Sequence, residues 1–337
     1  MLNSKLNLNN KIFQKDIESV STRDGYGEGL VVAGEKDENV VVLCADLKDS
    51  TRSTAFAEKF PERFIEVGVA EQALVTIAAG MAAYGKIPFI SSYAAFSPGR
   101  NWEQIRTTVA LNNLPVKIAG AHAGISVGPD GATHQALEDI ALMRVMPNMT
   151  VVVPCDVIET KKAVIEATKN SKPTYVRFTK YSTPVITTEE TDFKIGRAEI
   201  LWDSEQRMEN RERRTVAIVA CGPLVYEALL AAEKLEKEGI GTIIVNCHTI
   251  KPIDKKTIIE VAKKCGAVVT VEEHQVIGGM GSAVAEVLAK NYPVPMEFIG
   301  MPDSFGESGQ PDELLEKYKM KSKNIIDAVK KVIRRKD

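Results

Sequence analysis

Short apolar runs alternate along the chain with longer stretches of helical character, and this spacing predicts strands and helices in strict succession. The run at 40–45 is continuously apolar between polar segments, the pattern of a strand buried on both faces. Further strands are expected at 63–66, 87–90, 116–121, 150–153 and 174–178, with helices from 21 to about 35 and at 73–84, 100–111, 136–144 and 157–168. Such alternation with short connections predicts a parallel sheet covered by helices. A second series follows, with strands at 215–220, 241–246 and 267–272 and helices at 223–238, 254–263 and 282–290, which predicts a smaller α/β domain. The expected organisation is a leader at 1–20 and an α/β domain at 21–190, then a linker at 191–214 and a C-terminal α/β domain at 215–337. Within the linker, the hydrophilic stretch 203–214 reads as a solvated loop.

Composition narrows the function classes. The chain has 337 residues, 44% hydrophobic and 26% charged, enough apolar material for two cores. A formal net charge of −2 supplies no basic field for nucleic acid or an anionic membrane. No run of 18 apolar residues occurs and the N-terminus is polar, so a cytoplasmic protein is expected. Cysteines 44, 155, 221, 247 and 265 are scattered singly, which predicts buried thiols and no metal site. The glycines at 278, 279 and 281 open a helix after a strand but lack dinucleotide-binding spacing, so a tight turn is expected.

Ligands of open α/β sheets bind beyond the carboxyl ends of the strands, and four marked segments fall there. They are Asp46, Gly68 with Glu71 in VGVAEQ (67–72), Tyr93 with Phe96, and the loop from His122 to His134. Singly, each has a plain explanation: a helix-start Glu suits the helix dipole, and aromatic residues usually fill cores. Together they predict one crevice. His122, Asp130 and His134 share a loop with Gly124, Gly128, Pro129 and Gly131, where polar side chains do not serve the fold, and two imidazoles can bind hydroxyls and carbonyls.

GVAEQ, SSYAAF, HAGISVGPDGATHQALED and GMPDSFGESGQPDELLEKY resemble the C-terminal half of transketolases, and over 22–330 the chain resembles the C-terminal subunit of split transketolases. The resemblance implies a pyrimidine-binding domain followed by a smaller C-terminal domain. It also implies a thiamine diphosphate enzyme of carbohydrate metabolism in the pentose phosphate pathway, moving a two-carbon ketol unit from a ketose phosphate to an aldose phosphate. By the same resemblance Glu71 hydrogen-bonds N1′ of the cofactor's aminopyrimidine, Tyr93 and Phe96 pack on that ring, and Asp46 lies nearby. His122 and His134 contact donor oxygens near the reacting carbon, Asp130 reads a sugar hydroxyl, and Arg23, Ser50 and Arg177 hold the substrate phosphate. Several transketolases carry phenylalanine in place of Tyr93 and a tyrosine where this chain reads Pro98-Gly99-Arg100.

The chain has no GDG followed at a distance by Asn, the mark of the metal and diphosphate site in this family. Diphosphate and a divalent metal, Mg or Ca, are therefore expected from an N-terminal subunit, with two copies of this chain pairing through their α/β domains in a heterotetramer. A 2-oxoacid dehydrogenase β-subunit, a deoxyxylulose-phosphate synthase and a non-catalytic scaffolding subunit are the competing readings. His122, Asp130 and His134 suit a polyhydroxylated sugar better than a pyruvate-like acid. The intact Glu71 argues against loss of chemistry.

Overall fold

The structure is a computed structural model that describes residues 1–204 and 215–336; most of the stretch expected as a solvated loop, 205–214, lies outside the described residues. The first half runs β1 (Ser19–Ser21), α1 (Thr22–Lys36), β2 (Val40–Cys44), α2 (Thr54–Lys59), β3 (Phe64–Glu66), α3 (Glu71–Ala83) and β4 (Ile87–Tyr93). It continues with α4 (Trp102–Gln104), β5 (Lys117–Ala121), α5 (Asp139–Arg144), β6 (Thr150–Val152), α6 (Val157–Lys169), β7 (Thr174–Arg177) and β8 (Ser182–Pro184). The remainder is β9 (Glu199–Asp203), β10 (Thr215–Ala220), α7 (Leu224–Lys237), β11 (Gly241–Asn246), β12 (Thr249–Lys251), α8 (Lys255–Cys265) and β13 (Val268–Gln275). It closes with α9 (Met280–Asn291), β14 (Met296–Met301), α10 (Pro311–Lys317) and α11 (Ser322–Ile333).

The larger sheet has the order β12-β6-β7-β5-β4-β2-β3, and every pairing from β6 to β3 is parallel. All five residues of β2, a continuous apolar run, and of β5, which opens on Lys117, are buried because helices cover both faces. Helix α1 carries too few large apolar residues to pack by an ordinary greasy stripe. It approaches α6 backbone to backbone instead, and a Cβ at Gly25 would lie 2.0 Å from the Val157 carbonyl oxygen.

Three expectations need correction. The larger sheet is not wholly parallel, because β12, from the segment that follows β11, pairs antiparallel with β6 and completes its edge. The second half thus lends a strand to the first. Likewise β9, inside the stretch expected as a linker, pairs antiparallel with β11 at the edge of the smaller sheet, ordered β14-β13-β10-β11-β9. An edge strand needs only one bonded neighbour and one buried face, so its apolar signal is short. Finally, the helix expected at 136–144 begins only at Asp139, because Ala136 bridges Ala123 and the Leu137 carbonyl accepts from the Gln275 amide.

Residues before β1 are tied down. Leu6 and Ile12 are buried in the core that holds Trp202, and Phe13 meets the Trp202 ring edge-on at 5.8 Å. The five cysteines are buried free thiols, as expected. At the turn into α9, the Glu272 carboxylate accepts from the Met280 and Gly281 amides, so this helix N-terminus is satisfied from within.

Candidate active site

Parallel pairing aligns the carboxyl ends of β2, β3, β4, β5 and β7 along one edge of the larger sheet. Asp46 follows β2, exposed and in a left-handed conformation (φ 59°), its amide donating to Glu66 Oε1. Beyond β3 the chain turns at Gly68 and enters α3 at Glu71, which is only 4% exposed. Its carboxylate is held by Arg100, one of whose guanidinium nitrogens donates to both oxygens at 3.2 and 3.1 Å, and by the Ser92 hydroxyl at 3.4 Å. Asn101 fixes the turn by donating to the Glu71 carbonyl.

Tyr93 ends β4, and Phe96 stands three residues on. Arg100 lies over the Phe96 ring at 3.9 Å and so joins the aromatic wall to the buried carboxylate. The His122 ring faces Tyr93 at 4.1 Å, while His134 meets Tyr93 and Phe96 edge-on at 6.1 and 5.4 Å. The two imidazoles therefore share one aromatic wall. His122 is buried at φ 55°, and its Nδ1 has no hydrogen-bond partner. Burial pushes its pKa down to about 3, with the charges of Arg23, Lys180, His134 and Arg52 adding to the effect, so the ring is neutral near pH 7. Neutral imidazole offers one donor and one acceptor. His134 is less buried, and its Nδ1 lies 2.9 Å from the Thr133 hydroxyl.

Cations gather on the outer side. Arg23 donates to the Ser50 carbonyl at 3.2 Å, and its buried Nε has no partner. Burial, then Arg52, holds the Arg23 pKa below the usual guanidinium range. Asp130 is exposed and lies 3.4 Å from Lys180 Nζ. Arg177 is not brought here: it is 3% exposed, its Nε donates to Asp139 at 2.8 Å, and its Nη2 donates to the carbonyls of Glu273 and Ala136. The expected phosphate contact is corrected accordingly, because a guanidinium sealed against a buried carboxylate is a strut of the domain interface.

Sequence reasoning missed Arg100 and Lys180. Arg100 sits in the Pro98-Gly99-Arg100 segment that departs from the family pattern, and Lys180 stands three residues beyond Arg177, past the end of β7. The cation that reaches the crevice follows the strand rather than ending it. The residues fit a pyrimidine ring: a buried carboxylate and an aromatic wall share one guanidinium, and a nearby buried imidazole nitrogen lacks a partner.

Residues 18–185 match the transketolase pyrimidine-binding domain, and residues 206–325 match the transketolase C-terminal domain. A protein of Methanocaldococcus jannaschii described as a putative transketolase C-terminal section is 47% identical over 310 residues, 91% of this chain and 94% of that one. A 6-deoxy-6-sulfo-D-fructose transketolase subunit of a Clostridium species is 40% identical over 97% of this chain and 99% of its own length. Against mouse transketolase-like protein 2, 37% identical, the chain spans about half of the relative, 49%. Among solved structures, a split-gene transketolase described as an inactive beta4 tetramer superposes with a TM-score of 0.86 at 45% identity, over 94% of this chain and all of that one. The chain belongs to the transketolase family, and its near relatives are C-terminal sections of split transketolases.

Proposed function

We propose that this chain is the pyrimidine-binding half of a two-chain transketolase, transferring a two-carbon ketol unit between phosphorylated sugars with thiamine diphosphate. The observation that carries the reading is Glu71, buried at the start of α3 and linked through Arg100 to the aromatic wall that holds both imidazoles. Thiamine diphosphate supplies the carbanion-stabilising chemistry when bound. Glu71 would hold the hydrogen bond at N1′ of the aminopyrimidine, with Tyr93 and Phe96 packing the ring and Asp46 at its margin. A carboxylate in a water-poor pocket stabilises charge across the ring only when aimed and close. His122 and His134 would contact the donor's oxygens, His122 as a neutral group that both donates and accepts. Asp130 would read a sugar hydroxyl. Arg23, Ser50 and Lys180 would hold the phosphate, Lys180 in place of the withdrawn Arg177.

An N-terminal transketolase section would bring the diphosphate-binding residues and the divalent metal, a division supported by the relatives described as C-terminal sections. Two copies of this chain would pair through the outer face of α3 and the residue that follows it, where Thr76, Ile77, Gly80 and then Tyr84 are exposed and uncharged, giving a heterotetramer. A cytoplasmic place in the pentose phosphate pathway belongs to the same proposal. Among the described residues no helix is long and apolar enough to cross a membrane.

The test mixes the purified chain with an N-terminal section, thiamine diphosphate and magnesium, and follows label from xylulose 5-phosphate into ribose 5-phosphate, with pyruvate as control donor. Ketol transfer is expected only from the mixture, together with a sedimentation coefficient larger than that of either chain. Transfer by this chain alone, or consumption of pyruvate in preference to the ketose, overturns the reading.

A further inference from the structure

Every glycine between His122 and His134 has a positive φ, and each abuts the C-terminal half of the molecule. A Cβ on Gly124 (φ 93°) would lie 2.3 Å from Glu273 Oε1, and one on Gly131 (φ 74°) would lie 2.5 Å from the Ser308 hydroxyl. At Gly128 (φ 80°) it would meet the Gly309 carbonyl and Pro311 at 3.2 Å. Hydrogen bonds run through the same contacts. The Ser126 amide donates to Glu273 Oε1 at 2.6 Å, both groups being buried, and Gln135 Nε2 donates to the Glu307 carbonyl at 2.9 Å and the Ile125 carbonyl at 3.2 Å. Glu273 is held in turn, since its own carbonyl accepts from Arg177, whose Nε is tied to Asp139. The loop carrying both imidazoles is therefore pressed between the crevice and a wall built from β13 and the segment before α10.

We infer that the C-terminal domain sets the shape of the histidine loop, with Glu273 as a positioning residue that determines how the site holds its donor sugar. His122 itself sits at a positive φ, a conformation that a non-glycine residue keeps only when its surroundings impose it. The Ala123 and Gly124 amides donate to the Phe178 and Ala136 carbonyls, and Glu273 supplies a buried carboxylate acceptor two residues further on, at Ser126. Without it the Ser126 amide is left buried and unpaired, and the loop relaxes to recover a bond. The inference rests on the proposed sugar site.

Glu273→Ala and Glu273→Gln chains, reconstituted with the N-terminal section, are compared with wild type by steady-state kinetics and by amide hydrogen exchange of residues 122–127. Loss of the acceptor is expected to raise KM for the ketose phosphate by about tenfold while kcat changes by less than about threefold, because binding geometry suffers before chemistry does. Exchange at 122–127 should quicken by about tenfold, the scale of one buried hydrogen bond, with thiamine diphosphate affinity unmoved. Gln keeps an acceptor oxygen and should restore both quantities. A purely structural loss would lower stability without this split and without this rescue. Unchanged KM and exchange in a folded Glu273→Ala chain overturn the inference, as does a Gln variant as impaired as Ala. Should Glu273→Ala not fold, Glu273→Asp, which withdraws the carboxylate by one methylene, takes its place with the same expectations. If wild type shows no ketol transfer, the proposed function fails, while the exchange measurement still reports on the clamp.

Discussion

Two arginine–carboxylate pairs face opposite sides of the histidine loop and behave as different kinds of object. Behind the loop, Arg177 (3% exposed) and Asp139 (1%) are sealed together, and Asp139 Oδ2 also accepts from the Tyr175 hydroxyl at 2.7 Å. In the crevice, Glu71 is just as buried at 4%, but its partner Arg100 is 49% exposed and lies across an aromatic ring. The first pair is closed to any ligand. The second can exchange part of its bonding for a ring nitrogen without stranding a charge, because Arg100 already reaches water. Around it, Arg23 Nε and His122 Nδ1 are buried and unpartnered; behind the loop Asp139 Oδ1 is also without a partner, but Asp139 Oδ2 and Glu273 Oε1 meet guanidinium, hydroxyl or amide donors. Burial alone does not separate site from scaffold here; the commitment of the partner does.

The largest effect that could break this contrast lies in the scaffold. Arg177→Ala should destabilise the chain by about 3–5 kcal/mol, because it leaves Asp139 buried with an uncompensated charge. Urea unfolding measures it. A loss below about 1 kcal/mol would mean that the pair is not closed after all. Glu71→Gln should do the reverse, leaving the unfolding midpoint nearly unmoved while lowering kcat of the reconstituted enzyme by about a hundredfold or more, about 2.7 kcal/mol of transition-state stabilisation. Near-wild-type turnover would remove Glu71 from the mechanism.

The same distinction decides what was legible in the sequence. Apolar runs such as 40–45 revealed the buried strands, because a strand covered on both faces has no polar positions to blur it. Edge strands β9 and β12 were hidden, being three to five residues long and paired with segments distant in sequence. In the site, the convergence of Glu71, Tyr93, Phe96, His122 and His134 was readable because each stands at or beyond the carboxyl end of a strand, and the structure does bring them together. Arg177 was misread for the same reason. It too stands at a strand end, but its side chain turns toward α5 and the second domain, a direction that only the packed interface determines. Nothing local tells Arg177 from Lys180.

A smaller effect concerns His122, whose folded-state pKa of about 3 lies below the unfolded value near 6.5. Between those values the unfolded chain binds the extra proton, so this residue makes stability rise with pH and fall on acidification. From neutral pH down to 5 the loss attributable to His122 is about 2 kcal/mol. Glu159, pushed up to about 7 by burial, acts with the opposite sign over part of this range, so the whole-protein profile is not the right readout. The difference between wild type and His122→Phe isolates the term. Parallel pH–stability curves for the two would show that His122 is not held neutral and would weaken its assignment as a donor–acceptor group.

The smallest expected effects test the cationic rim. Arg23→Ala and Lys180→Ala should each raise KM for a phosphorylated ketose by about tenfold, about 1.4 kcal/mol, while leaving hydroxypyruvate, a donor without phosphate, nearly unaffected. The two positions should differ in their response to salt. Lys180 is 41% exposed and shares its charge with Asp130 at 3.4 Å, so its contribution should shrink as ionic strength rises. Arg23 is better shielded, with a buried Nε that has no protein partner, so its contribution should persist. Measuring KM for both donors at about 0.05 and 0.5 M salt separates a screened steering charge from a seated phosphate ligand. Equal KM changes for the two donors would place neither residue on the phosphate. Salt-insensitive loss at Lys180 would instead make it a direct ligand, joining it to the committed pairs and moving the boundary between rim and site outward to Asp130.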